Sequence, residues 1–213
     1  MLTFALDTTA DFGSIALLRD DDVLAETLLH APQGFSHILF QQIETLLDRC
    51  GIKLGDIDLY AAASGPGSFT GVRVGLAAIK GFAEVHGRRA VAISNLAALA
   101  KYGTAAHRAT VIDARRGEVY AALYNAVGEA IIDEQVIPFP AFLKILPSGP
   151  IEWISQDFTP FESPETTNVI TAPRALAAAI AALARRAIPT APEAIDANYV
   201  RRSDAELLWK ESV

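Results

Sequence analysis

The sequence predicts an α/β fold of two lobes, each a mixed sheet with helices, and three observations carry that prediction. A strand that ends in Asp, a short turn with Gly and a returning strand occur at residues 2–18, and the same pattern recurs at residues 110–124, with Asp113 in the place of Asp7. A strand runs into Gly65-Pro66-Gly67, and a helix follows at once. That helix has almost no polar face, because wrapping it at about 100° per residue from Val72 leaves only Arg73, Lys80 and Glu84 on a narrow charged stripe. A chain of 213 residues is long enough for two lobes of about 100 residues each, and the repeat divides it into residues 1–105 and 106–213.

Taken in order, residues 2–6 read as a buried strand and residues 14–18 as its return, with Asp11 and Gly13 in the turn. Asp20, Asp21 and Asp22 make a solvated turn before a third strand at 23–29, completing an antiparallel meander. Ser36 opens a helix that runs to Cys50 and stops at Gly51. Leu39, Ile43, Leu46 and Cys50 share its core face, while Phe40 and Leu47 widen the apolar stripe beyond one core contact. Residues 57–63 form the strand that enters the Gly-Pro-Gly loop, where Gly65 and Gly67 take backbone angles a Cβ would forbid. Ser68 and Thr70 are placed to accept from the free N–H groups of the next helix's first turn. A strand at 90–93 and a helix at 95–102 close the first half.

The second half repeats the hairpin, and a polar turn around Gly128 leads to its third strand. Residues 138–164 hold six of the eleven prolines and read as mostly loop with one short helix at 141–146, an eroded part of the second lobe. Residues 173–187 read as a strong Ala-rich helix, with Pro173 in its first turn and Pro189 closing it. The remainder, from Tyr199, Val200, Arg201 and Arg202, is a polar tail.

The helix after Gly67 must be covered on two sides, by its own fold or by a partner. Val72, Leu76, Ile79 and Ala83 are spaced to face the lobe's core, which leaves Gly71, Gly75, Ala78 and Phe82 on the neighbouring flank, small enough for another helix to approach. The net charge of −7 opposes stand-alone binding to a phosphate backbone. No apolar run approaches the roughly 18 residues of a membrane span, and the start lacks a basic-then-apolar leader, so a cytoplasmic protein is expected. The single cysteine, Cys50, reads as a small apolar helix residue.

Catalytic chemistry is sparse. The four histidines are scattered without metal-ligand spacing, and the Gly-Pro-Gly-Ser-Phe-Thr-Gly stretch fits neither a P-loop, a dinucleotide fingerprint nor a nucleophile elbow. Asp7, Thr8, Thr9 and Asp113 lie at strand ends, where carboxylates either meet a nucleotide and its metal across a cleft or accept local N–H bonds that hold the turn. No catalytic residue and no metal ligand is assigned.

Three stretches together resemble the TsaB (YeaZ) family: Ala5-Leu-Asp-Thr-Thr9, Gly65-Pro-Gly-Ser-Phe-Thr-Gly-Val-Arg-Val-Gly75, and Ile112-Asp-Ala-Arg-Arg-Gly-Glu-Val-Tyr120. The ending Asn198-Tyr-Val-Arg201 is similar to the family's Tyr-Leu-Arg ending. The resemblance implies an actin-like fold of the sugar-kinase and heat-shock class and a role in adding threonylcarbamoyl to adenosine 37 of ANN-decoding tRNAs. It further implies a heterodimer with the transferase paralogue TsaD, work alongside the ATPase TsaE, a homodimer when alone, and tRNA contact mainly through the complex. TsaD carries a metal-binding His-x-x-x-His where this chain has Asn95 and Leu99, and leucine cannot ligate a metal, so the resemblance implies a non-catalytic subunit. No cofactor is expected on the isolated chain, with ATP or ADP admitted only in the assembled complex. Because the family pairs through the two helices that begin near Ser36 and Ser68, Ser36, Phe40, Leu47, Gly71, Gly75, Ala78 and Phe82 are the expected partner interface. Two other classes stand beside this one. A small-molecule kinase of the same fold would need a glycine-rich adenosine motif in the second lobe, where residues 138–164 offer only Ser148-Gly149, and a peptidase would need a metal pair or a nucleophile with its base.

Overall fold

Along the first hairpin, Phe4, Leu6, Ile15 and Leu17 alternate with Ala5, Ala16 and Leu18, and both sets are buried. A sheet buried on both faces needs helices on both sides. In the computed structural model, which describes residues 1–161 and 168–200, that hairpin is the centre of a sheet made by β1 (Leu2–Asp7), β2 (Phe12–Arg19), β3 (Asp22–His30), β4 (Leu59–Ala63) and β5 (Arg89–Ile93). The order is β3-β2-β1-β4-β5; β3, β2 and β1 pair antiparallel, and β1, β4 and β5 pair parallel.

The second sheet follows the same plan. It contains β6 (Arg108–Asp113), β7 (Glu118–Tyr124), β8 (Ala130–Pro138), β9 (Glu152–Ser155) and β10 (Val169–Thr171), in the order β10-β9-β6-β7-β8. Again the meander is antiparallel, and the two added strands are parallel to its first member. Residues 138–161 divide evenly between loop and regular structure, so the loop reading missed one element. The short helix is present as α4 (Phe139–Ile145), but Glu-Trp-Ile-Ser is a central strand with every residue buried. Its leading charge disguised it. The Glu152 carboxylate is buried and accepts from the N–H groups of Thr104 at 2.6 Å and Ala105 at 3.2 Å, so it fixes the link between the two halves. The 105/106 division falls in this link. Pro164, Arg201 and Arg202 lie outside the described residues.

The helices are α1 (Leu39–Cys50), α2 (Phe69–Val85), α3 (Asn95–Ala100), α4 and α5 (Ala177–Ala184). One outer layer is α1 with α2, packed by Leu39, Ile43, Leu46, Val72, Leu76 and Ile79 on the first sheet, and the other is α4 on the second. Between the sheets lies a shared core with α3 and α5 inside it. The two central helices are exchanged: α3, from the first half, packs on β6, β7 and β9, and α5, from the second half, packs on β1, β2, β4 and β5.

Helix ends differ from expectation for local reasons. α1 starts at Leu39 rather than Ser36, because Ile38 and Leu39 both donate to the Phe35 carbonyl in a preceding turn and Ser36 stays exposed without capping. Gly51 ends it in the left-handed region at φ 64°, as predicted. The Ala-rich helix is shorter than residues 173–187, and its start is set from outside. Ser14 Oγ of β2 accepts from the N–H groups of Leu176 at 3.0 Å and Ala177 at 2.9 Å, and Glu26 of β3 accepts from Ala178 at 2.8 Å. A capping side chain is thus supplied by the sheet that the helix covers, across more than 150 residues of chain.

Ser14 is wholly buried, so Ser14→Ala leaves two buried N–H groups without their acceptor. Loss of stability by about 2 kcal/mol is expected. A urea melt checks this, with the midpoint falling while the slope stays unchanged.

Candidate functional site

Three segments meet at the Gly-Pro-Gly loop. Asp7 ends β1, Asn95 starts α3, and the loop passes between them. Asp7 Oδ1 accepts from Thr9 N at 2.9 Å and Thr9 Oγ1 at 2.7 Å, and its Oδ2 accepts from Asn95 Nδ2 at 3.0 Å. Asn95 also donates to Thr9 Oγ1 at 2.9 Å, and its Oδ1 accepts from Gly65 N at 3.1 Å. Burial pushes the Asp7 carboxyl above its ordinary range, against the lowering by Thr9 and Asn95. Gly65 adopts φ +96°, whereas Gly67 has an ordinary φ and needs to be glycine for another reason: a Cβ there would run into the Thr9 carbonyl. The loop thus rests directly on β1's end, with Ser68 N donating to Thr9 O at 2.6 Å and Ser68 Oγ accepting from Gly71 N at 3.3 Å.

The duplicated aspartates have parted in role. Asp113 makes the same turn bond, accepting from Arg115 N at 2.8 Å, but is only partly buried and pairs with the Arg115 guanidinium at 3.6 Å. A cleft of about 500 Å³ opens between the two hairpin ends. Thr9 and Asp113 line it; Asp7 and Thr8 do not. Its walls also include Phe12, Ser68, Tyr120, Asp157 and Arg174, of which only Ser68 lies in a stretch singled out as a loop motif. No spacing in the sequence signals the rest, because they come from distant segments. As a nucleotide site the lining fits poorly. Asp11, Asp113 and Asp157 face two guanidiniums, and one of these, Arg174, lies flat on the Phe12 ring at 4.0 Å. A polyphosphate would meet net negative charge. Ser64 is buried, and among the described residues no group of three His, Cys, Asp or Glu side chains could hold a metal ion.

Most of the circumference of α2 has a definite neighbour. Val72, Leu76, Ile79 and Ala83 are buried in the core, as their spacing predicted. Gly71 and Gly75 also turn inward: a Cβ on Gly71 would strike the Thr8 carbonyl, and one on Gly75 would lie 2.6 Å from Thr8 Oγ1 and 2.8 Å from Leu6. Thr8 Oγ1 donates to Gly71 O at 2.7 Å. These two glycines serve the approach of α2 to β1 and leave nothing for a visiting helix. Leu47 is likewise in the core, at 4% exposure, instead of on an outer flank. Ala78 and Phe82 are half-buried, and Phe82 meets Phe40 edge-on at 6.0 Å between ring centres. Phe40 is 60% exposed and Ser36 is exposed. The chain's own C-terminal segment meets the charged stripe at two points, Tyr199 accepting from Arg73 Nε at 3.0 Å and Lys80 Nζ donating to Glu193 O at 3.3 Å, while Arg73 and Glu84 stay exposed. Besides Arg73, Glu84 and the helix ends at Phe69 and Val85, the exposed positions are Thr70, Ala77 and Gly81, with Val74 half-buried beside them. This ridge lies about 100° around the helix from the flank of Ala78 and Phe82.

Because Asp7's carboxyl is raised above its ordinary value of 3.8, the folded chain holds that proton more tightly than the unfolded one. The resulting stabilisation is complete below the ordinary value and is lost as pH rises through the raised one. In denaturant melts of the wild type and Asp7→Asn, the wild type's advantage should shrink from acid to neutral pH. An advantage independent of pH would contradict it.

The family model of tRNA N6-adenosine threonylcarbamoyltransferase (TsaD) matches residues 29–202. The Bacillus subtilis tRNA threonylcarbamoyladenosine biosynthesis protein TsaB is 33% identical over 151 residues, 68% of this chain and 66% of that protein. Its Escherichia coli namesake is 35% identical over 129 residues, 59% of this chain and 55% of that protein. The chain thus spans between about half and two thirds of the curated relatives it matches. A crystal structure from Pseudomonas aeruginosa, described as an uncharacterized protein with similarity to peptidase YEAZ, superposes with a TM-score of 0.79 at 26% identity, covering 94% of this chain and 99% of that one. The two mixed sheets with their helices are a two-lobed α/β fold of the actin-like class. The chain belongs to the threonylcarbamoyltransferase family that this model describes, in its TsaB (YeaZ) branch.

Proposed function

We propose that this chain is a non-catalytic subunit in the threonylcarbamoyl modification of tRNA, seated against a TsaD-like transferase paralogue through the open ridge of α2 together with Phe40 of α1. The observation that carries the reading is Gly81. It lies inside a 17-residue helix, is exposed, and a Cβ on it would meet nothing within 4 Å. Glycine in a helix interior costs about 1 kcal/mol against alanine, and nothing among the described residues requires it. A second helix crossing at Ala77 and Gly81 would require it, because small residues let backbones approach closely. Phe40, exposed and edge-on to Phe82 on the neighbouring flank, supplies the apolar anchor such a contact uses. In the absence of that partner, the same ridge pairs two copies about a two-fold axis.

Support for a non-catalytic role comes from Asn95 and Leu99, the positions where the transferase carries its histidines. Asn95 commits its amide to Asp7, Thr9 and Gly65, and Leu99 is wholly buried in the core between the sheets. On this reading the ATPase subunit TsaE acts on the assembled complex, any ATP or ADP enters there, and the tRNA is held mainly by the other subunits.

Gly81→Arg separates docking from folding. It should abolish both the homodimer and the heterodimer in sedimentation velocity, while at a dilution where the wild type is also monomeric the variant melts no lower than the wild type, since the substitution gains helix propensity of up to about 1 kcal/mol. A folded variant that still pairs would sink the ridge as the interface. Separately, the isolated chain incubated with threonylcarbamoyl-adenylate and tRNA should yield no modified adenosine, and product above background would overturn the non-catalytic role.

A further inference from the structure

The chain's last described residues form an unusual connection. After α5 the backbone returns to the first sheet's free edge, where Thr190 and Ala90 of β5 exchange both backbone hydrogen bonds at 3.0 Å. It then runs antiparallel along α2. Glu193 O meets Lys80, Ile195 is buried in the α1–α2 core, and Asn198 N donates to Ser64 O at 2.8 Å. Tyr199 ends the run on Arg73, whose guanidinium lies 3.7 Å over the Phe69 ring. The Asn198 carbonyl sits 3.6 Å from where a Cβ on Gly65 would be, so the strap lies on the Gly-Pro-Gly loop itself.

The strap is also tied to the other sheet. Asn198 Nδ2 donates to Glu134 Oε2 of β8 at 2.5 Å, and Tyr124 of β7 donates to Glu134 Oε1 at 2.6 Å. Tyr124 is buried, and its hydroxyl is held far above its ordinary pKa by burial, then by the Glu134 charge and by donating to that carboxylate. It also contacts Ser94, which caps α3 by accepting from Leu96 and Ala97. Asn198 therefore ties the entry to the Gly-Pro-Gly loop, through its backbone N–H, to the second sheet, through its side chain, and Glu134, Tyr124 and Ser94 carry the connection on to the start of α3.

We propose that residues 190–199 are a strap that couples the two sheets to the docking helix: it fixes the Gly-Pro-Gly loop and the first turn of α2 in the position a partner requires, and it transmits to the second sheet any displacement a partner imposes there. The strap meets the charged stripe of α2 at Arg73 and Lys80, and it leaves the Thr70, Ala77 and Gly81 side clear for a partner. This inference rests on the docking reading above for its consequence, but the strap's grip on the loop is a property of the isolated chain.

The test is hydrogen exchange on the isolated full chain, followed by binding to the transferase subunit. Asn198→Ala removes the tie to Glu134 and Tyr199→Ala removes the ring from Arg73 and Phe69. In either variant, the amides of Gly65, Gly67, Ser68 and Gly71 should exchange faster by about tenfold, as expected when a clamping hydrogen bond is lost, and β6–β7 amides should speed up in Asn198→Ala alone. Amides in β1 and β4 should keep their rates. If a variant unfolds, Tyr199→Phe, which removes only the hydroxyl that Arg73 reaches, gives the smaller version of the same effect at Ser68 and Gly71. Unchanged exchange at the loop would overturn the strap. Faster exchange with affinity for the transferase subunit undiminished would overturn the coupling. If the wild type itself does not bind that subunit, the docking reading fails, and the exchange result still decides the strap.

Discussion

The exchange of α3 and α5 between the sheets is the constraint on which the rest depends. The sequence Ala-Ala-Ala-Ile-Ala-Ala-Leu-Ala offers no polar side chain, so α5 gains by burial on every side, and only Ala178, Ala182 and Leu183 keep partial exposure. Small side chains let it lie close to β1 and β2, and the first sheet accordingly presents Ala5, Ala16, Ala61 and Ala63 toward it. Since α5 belongs to the second half and α3 to the first, neither sheet can bury its inner face without the other half of the chain. The link between them is held as well, by the buried Glu152 carboxylate and by Arg108, which donates to the carbonyls of Ala100 and Ala105. The two hairpin ends that frame the cleft are thereby set at a fixed separation.

That arrangement decides what α2 can do. With the inner face of the sheet taken by α5, α1 and α2 share the outer face, and α2 packs on β1 and β4 so closely that Gly71 and Gly75 must lack side chains. The C-terminal segment takes a second flank and α1 a third. Between the charged positions and the exposed ends of the helix, Phe69 and Val85, a ridge of small residues is left to solvent, with Phe40 of α1 also exposed. An apolar helix thus becomes a surface element with a narrow, well-defined open side.

Duplication explains both the likeness and the divergence of the hairpin ends. Asp7 and Asp113 each hold a turn through an N–H two residues on, the local bond for which an Asp at a strand end is suited. Asp7 was then enclosed by Thr9 and Asn95 and is 3% exposed, whereas Asp113 stays at the cleft wall beside Arg115. In the second turn Arg115 and Arg116 both take positive φ, at 66° and 56°, a conformation that costs a non-glycine residue about 1–2 kcal/mol each. The first turn has no such residue between Asp7 and Gly13, so the two copies now differ in shape as well as in charge.

The sequence by itself determined the strands of both meanders, the Ser68 cap and core stripe of α2, the stop at Gly51 and the two-lobe repeat. Each of these is encoded within a few residues, by alternation, helical spacing or a turn glycine, and so could be read without knowing any partner. Where residues 138–164 looked like loop, the short strand Glu152–Ser155 was hidden because its buried carboxylate is satisfied by amides almost fifty residues away. Of the site, Asp7, Thr9, Asp113 and Phe40 were legible as positions. Their surroundings were not: the tertiary structure alone decided that Asp7 is enclosed by Asn95, that Gly71, Gly75 and Leu47 face inward, that the Arg174 guanidinium lies over the Phe12 ring in the cleft, and that Tyr199 and Glu193 meet Arg73 and Lys80 of α2. The physical reason is the same in every case. A helix with apolar and small residues on most of its circumference leaves its own orientation undetermined, and long-range packing against β1, α1 and the returning C-terminal segment selects which side is left for solvent.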